Sequence, residues 1–114
     1  MTEDVEFIKR VYALFNARDM EAVLATMSEQ VVWANGMDGG HVHGRDGVRD
    51  YWTRQWSMID PHVDPVNISR GADGEIVVEV HAVVRDLSGV LLQDRMVTHV
   101  FRVDDGLIAR FDIR

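Results

Sequence analysis

From Ile76 to Arg85 the chain alternates without a break, and no other stretch constrains the fold as much. Ile76, Val78, Val80, Ala82 and Val84 make a wholly apolar face, while Val77, Glu79, His81, Val83 and Arg85 make a mixed one. Strand side chains point alternately to two faces, so one side of this strand is built for burial and the other for water or a partner. The pattern predicts a strand over 75–87, after another over 63–70 that ends at the turn Gly71-Ala72-Asp73-Gly74. Leu87-Ser88-Gly89 and Asp105-Gly106 turn the chain into further strands over 90–104 and 107–114.

The first half has a different period. Val5, Ile8, Val11, Tyr12 and Phe15 recur at helical spacing, with Phe7 and Leu14 widening the stripe. Lys9, the only lysine, falls on the opposite face, which sets aside Schiff-base chemistry. Asn16-Ala17-Arg18-Asp19 breaks this helix, and Asp19 is placed to cap a second, short one whose buried side is Met20, Val23, Leu24 and Met27. Val31-Val32-Trp33-Ala34 reads as a strand, and 35–44 reads as a glycine-rich loop. A third helix is expected over 45–59, with Val48, Trp52, Gln55, Trp56 and Ile59 on one side and Pro61 marking its end. Helices followed by a meander argue for an α+β domain occupying residues 1–114, with the helices on one face of an antiparallel sheet.

Composition narrows the chemistry. There is no cysteine, so disulfides, thiol nucleophiles and thiolate metal sites are excluded. The net charge of -7 comes without a basic stripe, which argues against nucleic acid. The apolar runs are too short to span a bilayer, so no membrane role is expected. The acidic opening Met1-Thr2-Glu3-Asp4 leads directly into an amphipathic segment, unlike a secretory leader, and a cytoplasmic protein is expected.

Three local motifs carry a resemblance: Phe15 to Asp19, then His43-Gly44-Arg45-Asp46-Gly47-Val48-Arg49, then His99-Val100-Phe101-Arg102-Val103-Asp104-Asp105-Gly106. Their order and spacing resemble the nuclear transport factor 2-like superfamily, in particular its ketosteroid isomerase and polyketide cyclase (SnoaL-like) branches. The resemblance implies a curved, largely antiparallel sheet wrapped around N-terminal helices, a cone with an internal pocket. It also implies changed chemistry. The isomerase uses a carboxylate base, a Tyr and a protonated Asp. The matching positions here are Asn35, Val11 (with Tyr12 next to it) and His99, so the same steroid isomerisation is not expected.

His99 shares strand parity with Val97, Phe101 and Val103, and the resemblance places it in the cavity. Desolvation disfavours imidazolium, leaving a neutral group able to act as base or acid. The competing reading is a core histidine bonded to a backbone carbonyl or a neighbouring side chain. Asn35 lies two residues from Trp33 and is the candidate hydrogen-bond donor to a carbonyl; alternatively it ends the strand. Tyr12, Trp33, Trp52, Trp56 and Phe101 are candidate pocket walls or core, and His43 is a candidate at the pocket mouth. Asp38, His41 and His43 match no metal-site spacing, so no metal and no cofactor are expected.

Two functions remain open. One is a cofactor-free acid–base isomerase, cyclase or lyase acting on a small apolar carbonyl compound. The other is a non-catalytic ligand-binding or dimerisation module of the same fold. In either case the mixed face of the alternating strand exposes valines between charges, which favours a homodimer through the open sheet face. Sedimentation equilibrium at micromolar concentration is expected to report twice the 13.0 kDa chain mass; a clean monomer defeats this expectation.

Overall fold

The computed structural model describes residues 2–114. Helix α1 (Thr2–Asn16) is followed by the short α2 (Met20–Leu24), then β1 (Met27–Ala34), β2 (His41–His43) and α3 (Gly44–Met58). The meander β3 (Ile59–Arg70), β4 (Ile76–Asp86), β5 (Leu91–Asp104) and β6 (Leu107–Ile113) completes the chain. One six-stranded sheet runs β2-β1-β6-β5-β4-β3. Every neighbouring pair is antiparallel except β1 and β6, which run parallel with Trp33 opposite Phe111.

Of the apolar face expected of β4, Ile76, Val78 and Val80 are buried, while Ala82 and Val84 are half-buried and line a cavity. Ile76, Val78 and Val80 share one buried core with Ile8, Val11 and Tyr12 of α1 and Val48 and Trp52 of α3, which Phe101, Ile108 and Phe111 extend. Val77, Glu79, His81 and Val83 stay half-buried on the outer face. There His81 pairs with Asp94 at 2.7 Å, and Met96 stands exposed beside it. Register shifts interrupt the β1–β6, β3–β4, β4–β5 and β5–β6 pairings. Bulges of this kind bend and twist a sheet, and here they curl it around the helices. No helix among the described residues is long and apolar enough to cross a membrane.

Three boundaries differ from the sequence reading. Met27 opens β1 instead of closing α2, because the helix stops at Leu24 and the buried Thr26 hydroxyl turns back onto the Val23 carbonyl at 2.6 Å. The loop over 35–44 contains a strand of its own, β2, folded back on β1. Pro61 lies inside β3 rather than in a gap after the helix. β3 is an edge strand, where a missing backbone donor costs no ladder bond.

The break after α1 fastens helix to sheet. Asn16 donates Nδ2–H to the Val63 carbonyl at 2.8 Å and accepts the Val63 N–H on Oδ1 at 3.0 Å, so one amide satisfies both groups on the free edge of β3. Arg18, in a left-handed conformation (φ 61°), donates to the Pro61 carbonyl at 2.6 Å and to Asp60 at 2.5 Å. Its guanidinium lies over the rings of Phe15 and Trp56. Asn16→Ala strands both Val63 groups in a part-buried setting, and urea unfolding is expected to show a loss of about 1–3 kcal/mol.

Candidate active site

Sheet and helices do not fill the space between them. A cavity of about 160 Å³ remains where the sheet bends away from α1 and α3. Its walls are aromatic. Trp33 stacks on Phe111 with centroids 4.1 Å apart and meets Trp52 edge-on at 5.3 Å. Gly36 and Ile113, both exposed and both lining the cavity, mark its open end.

His99 stands on the inner face of β5, between Val78 of β4 and Ile113 of β6. It is only 9% exposed, and its ring meets Phe111 edge-on at 4.7 Å. Its Nδ1 lies 2.7 Å from the Tyr12 hydroxyl, with the two ring planes 6° apart. Burial lowers the His99 pKa to about 4 and pushes the Tyr12 phenol well above its ordinary 10.0, so both are neutral at pH 7.

Hydrogen counting then assigns the tautomer. Neither Tyr12 Oη nor His99 Nε2 has another hydrogen-bond partner among the described residues. If Tyr12 donates to Nδ1, only the Nε2–H is left unpaired. If Nδ1–H donates instead, both the phenol proton and the Nε2 lone pair are left over. The first arrangement leaves fewer polar hydrogens and lone pairs over at His99 and presents its Nε2–H, with Nδ1 held by Tyr12. Among the described residues lining the cavity there is no Asp or Glu.

Of the residues picked from sequence, Tyr12, Trp33, Trp52, Phe101 and His99 converge on the cavity. Asn35 does not. Its Oδ1 accepts the N–H groups of Met37 and Asp38, each at 2.9 Å, and its backbone N–H bonds the Gly40 carbonyl, so it shapes the turn into β2. The chain has already left the strand at Ala34, and the parity linking Asn35 to Trp33 ends there. Trp56 stands behind Trp52, stacked on it at 5.6 Å and covered by Arg18, outside the lining. His43 is the exposed N-cap residue of α3, on the outer side of the sheet opposite Val32, and does not reach the cavity mouth.

Sequence reading missed Tyr51, which is 6% exposed and lines the cavity with Gln55. Its hydroxyl accepts the Gly36 N–H at 3.0 Å and a Gln55 Nε2–H at 3.2 Å. Burial, the largest influence, raises its pKa. The signal was present: Val48, Tyr51, Trp52 and Gln55 follow i, i+3, i+4, i+7 spacing.

The family model described as the SnoaL-like domain matches residues 8–111. The chain belongs to the SnoaL-like family. No curated protein sequence matches it. Among solved structures, this SnoaL-like chain is similar to an NTF2-like protein of unknown function from Burkholderia pseudomallei K96243. The TM-score is 0.86 at 25% identity, covering 100% of this chain and 91% of that one. It is also similar to TerC, co-crystallised with polyporic acid, with TM-score 0.83 at 25% identity over 96% and 88% of the two chains. A Mycobacterium tuberculosis protein in complex with estradiol-17β-hemisuccinate matches at TM-score 0.81 and 18% identity over 96% and 90%, a likeness of fold alone. The fold is thus the NTF2-like α+β cone, and relatives of this shape hold small ligands.

The lowered His99 pKa fixes a pH dependence. A histidine whose folded pKa lies below its unfolded value takes up protons preferentially in the unfolded state. Its contribution is therefore complete above about 6.5 and is lost as pH falls from there toward 4. NMR titration is expected to show His99 as the Nε2–H tautomer at pH 7, protonating only near pH 4. His99→Gln is expected to flatten the acid limb of the stability curve between those values by roughly 3 kcal/mol. A midpoint above 6.5 in the folded protein contradicts the assignment.

Proposed function

We propose that the protein binds a small, largely apolar carbonyl compound and acts on it as a cofactor-free isomerase, cyclase or lyase, with His99 at the carbonyl oxygen. The observation that carries this reading is the 2.7 Å Tyr12–His99 pair, set in a cavity whose other walls are mostly apolar. A neutral imidazole N–H aimed at a carbonyl oxygen stabilises negative charge as it develops there, and does so best where water is excluded.

His99 serves this role by hydrogen bonding rather than by full proton transfer. Giving up the Nε2 proton leaves either an imidazolate or, after relay from Tyr12, a buried phenolate, and burial has raised the cost of that phenolate. Taking up a proton instead, as a base, costs roughly 4 kcal/mol at pH 7 for a group with pKa about 4. A carbon proton made acidic by the polarised carbonyl passes to water at the open end, and water returns a proton to carbon to complete the turnover. Tyr12 is a positioning residue that fixes the tautomer.

The cavity's lack of a lining carboxylate favours the second reading, a ligand-binding module without turnover. In both readings the partners are a small apolar ligand and a second copy of the chain across the outer face of β4 and β5.

Deuterium exchange at carbons next to the carbonyl of small cyclic ketones separates the two readings without knowledge of the natural substrate. The enzyme reading expects saturable acceleration by the native protein. It also expects a loss of at least about 100-fold in His99→Gln, the scale for removing an oxyanion donor, with ketone affinity kept within a few-fold. Ketones that bind but exchange no faster than in buffer leave the binding module standing.

A further inference from the structure

At the cavity's open end, Tyr51 carries a proton that the protein does not use. Its oxygen already accepts from Gly36 N–H at 3.0 Å and from Gln55 Nε2 at 3.2 Å, which occupies both lone pairs. With the Gln55 amide in this orientation, its own O–H has no acceptor among the described residues. The neighbouring Gln55 Oε1 is likewise buried without a partner. Unpaired polar groups in buried positions destabilise a fold, and a cluster of them beside a cavity asks for a function. The helix stripe holds Tyr51 in place. A Cβ at Gly36 would lie 3.6 Å from that oxygen and 3.3 Å from Ile113 Cδ1. Ile113 is the register partner of His99, so the Tyr51 and His99 poles flank one side chain.

We propose that Tyr51 is a second ligand-binding donor, and that the ligand of this cavity is a flat apolar compound with two acceptor oxygens, one taken by His99 Nε2–H and the other by Tyr51 O–H. This rests on the proposed function and deepens it. Both donors are neutral, and no carboxylate among the described residues lines the cavity to repel an oxygen lone pair or to demand a donor from the ligand. The site therefore offers two donors to acceptor oxygens, with Gln55 Oε1 the one unpaired acceptor beside them. A mono-oxygenated compound leaves the Tyr51 proton without a ligand acceptor, and a site built around a hydrogen bond discriminates against the partner that cannot form it.

Calorimetric titration with 1-tetralone, 6-methoxy-1-tetralone and 6-hydroxy-1-tetralone tests this. The parent has one oxygen, the methoxy compound adds an acceptor only, and the hydroxy compound adds an acceptor and a donor. The native protein is expected to bind both substituted compounds about tenfold tighter than 1-tetralone. Tyr51→Phe is expected to remove that gain while holding 1-tetralone affinity within twofold, which also shows that the variant is folded. Gln55→Leu leaves the Tyr51 proton free and is expected to retain the gain. Equal affinity for all three ketones in the native protein overturns the proposal while leaving the carbonyl site intact. So does a gain that first emerges in Gln55→Leu, which would mean that the Gln55 amide had held the proton. Failure of all three ketones to bind sinks the proposed function itself, and this proposal with it.

Discussion

The structure depends on covering one apolar sheet face with helices too few to cover it. The inward side of β4 and its continuation into β5 and β6 must leave water, and only α1 and α3 are long enough to lie against it. Each is 15 residues long, about four turns. Where the sheet follows them, Ile8, Val48, Val78 and Val80 pack with no exposure at all. Where the bulges bend it away, the gap is lined by rings too large and too rigid to collapse into it. Trp33, Trp52 and Phe111 hold each other by edge and face contacts. The cavity is thus a consequence of sheet curvature meeting aromatic walls, and the clamp from Asn16 and Arg18 to β3 keeps its rim in place.

Polar groups at such a gap are constrained by counting. His99, Tyr12 and Tyr51 sit where water is scarce, and each shifts toward its neutral form. Neutrality decides what they can do. A neutral imidazole fixed through Nδ1 presents one N–H, and a phenol whose oxygen is already twice bonded presents one O–H. The site has donors placed toward the cavity and no anion opposing them, an arrangement that stabilises developing oxyanions better than it removes protons. The same burial that makes His99 a poor base makes its hydrogen bond stronger, because nothing of high dielectric screens it.

Much of this was legible in the sequence, for physical reasons. The two periods, 3.6 and 2, are properties of neighbouring residues, so α1, α3 and the meander could be read directly, and the inward parity of His99 with Phe101 came with them. Parity fails where an element ends. Asn35 lies one residue beyond β1, and Trp56 lies in the last turns of α3, where the stripe turns from the cavity toward Arg18. Tyr51 was passed over because Trp52 and Trp56 dominate the stripe by size, although Tyr51 lines the cavity beside Trp52 and Trp56 does not. The parallel pairing of β1 with β6 joins residues about eighty positions apart and left no local mark.

Net charge carries no information about the site. The chain carries 19 acidic residues against 12 basic ones, yet the cavity is lined by none of the carboxylates among the described residues. The carboxylates are spent elsewhere. Asp60 holds Arg18, Asp112 bonds both His41 and Arg110, Asp86 caps its own hairpin turn, and Glu75 is folded beneath the turn at Gly71. Partitioning of this kind is what a low-dielectric pocket requires. A lone carboxylate inside would either protonate or draw in water, and either outcome weakens the neutral donors that His99 and Tyr51 present. Acidity on the surface and neutrality within are therefore two sides of the same constraint, and the chemistry of this fold is set by the few polar hydrogens that its walls leave unpaired.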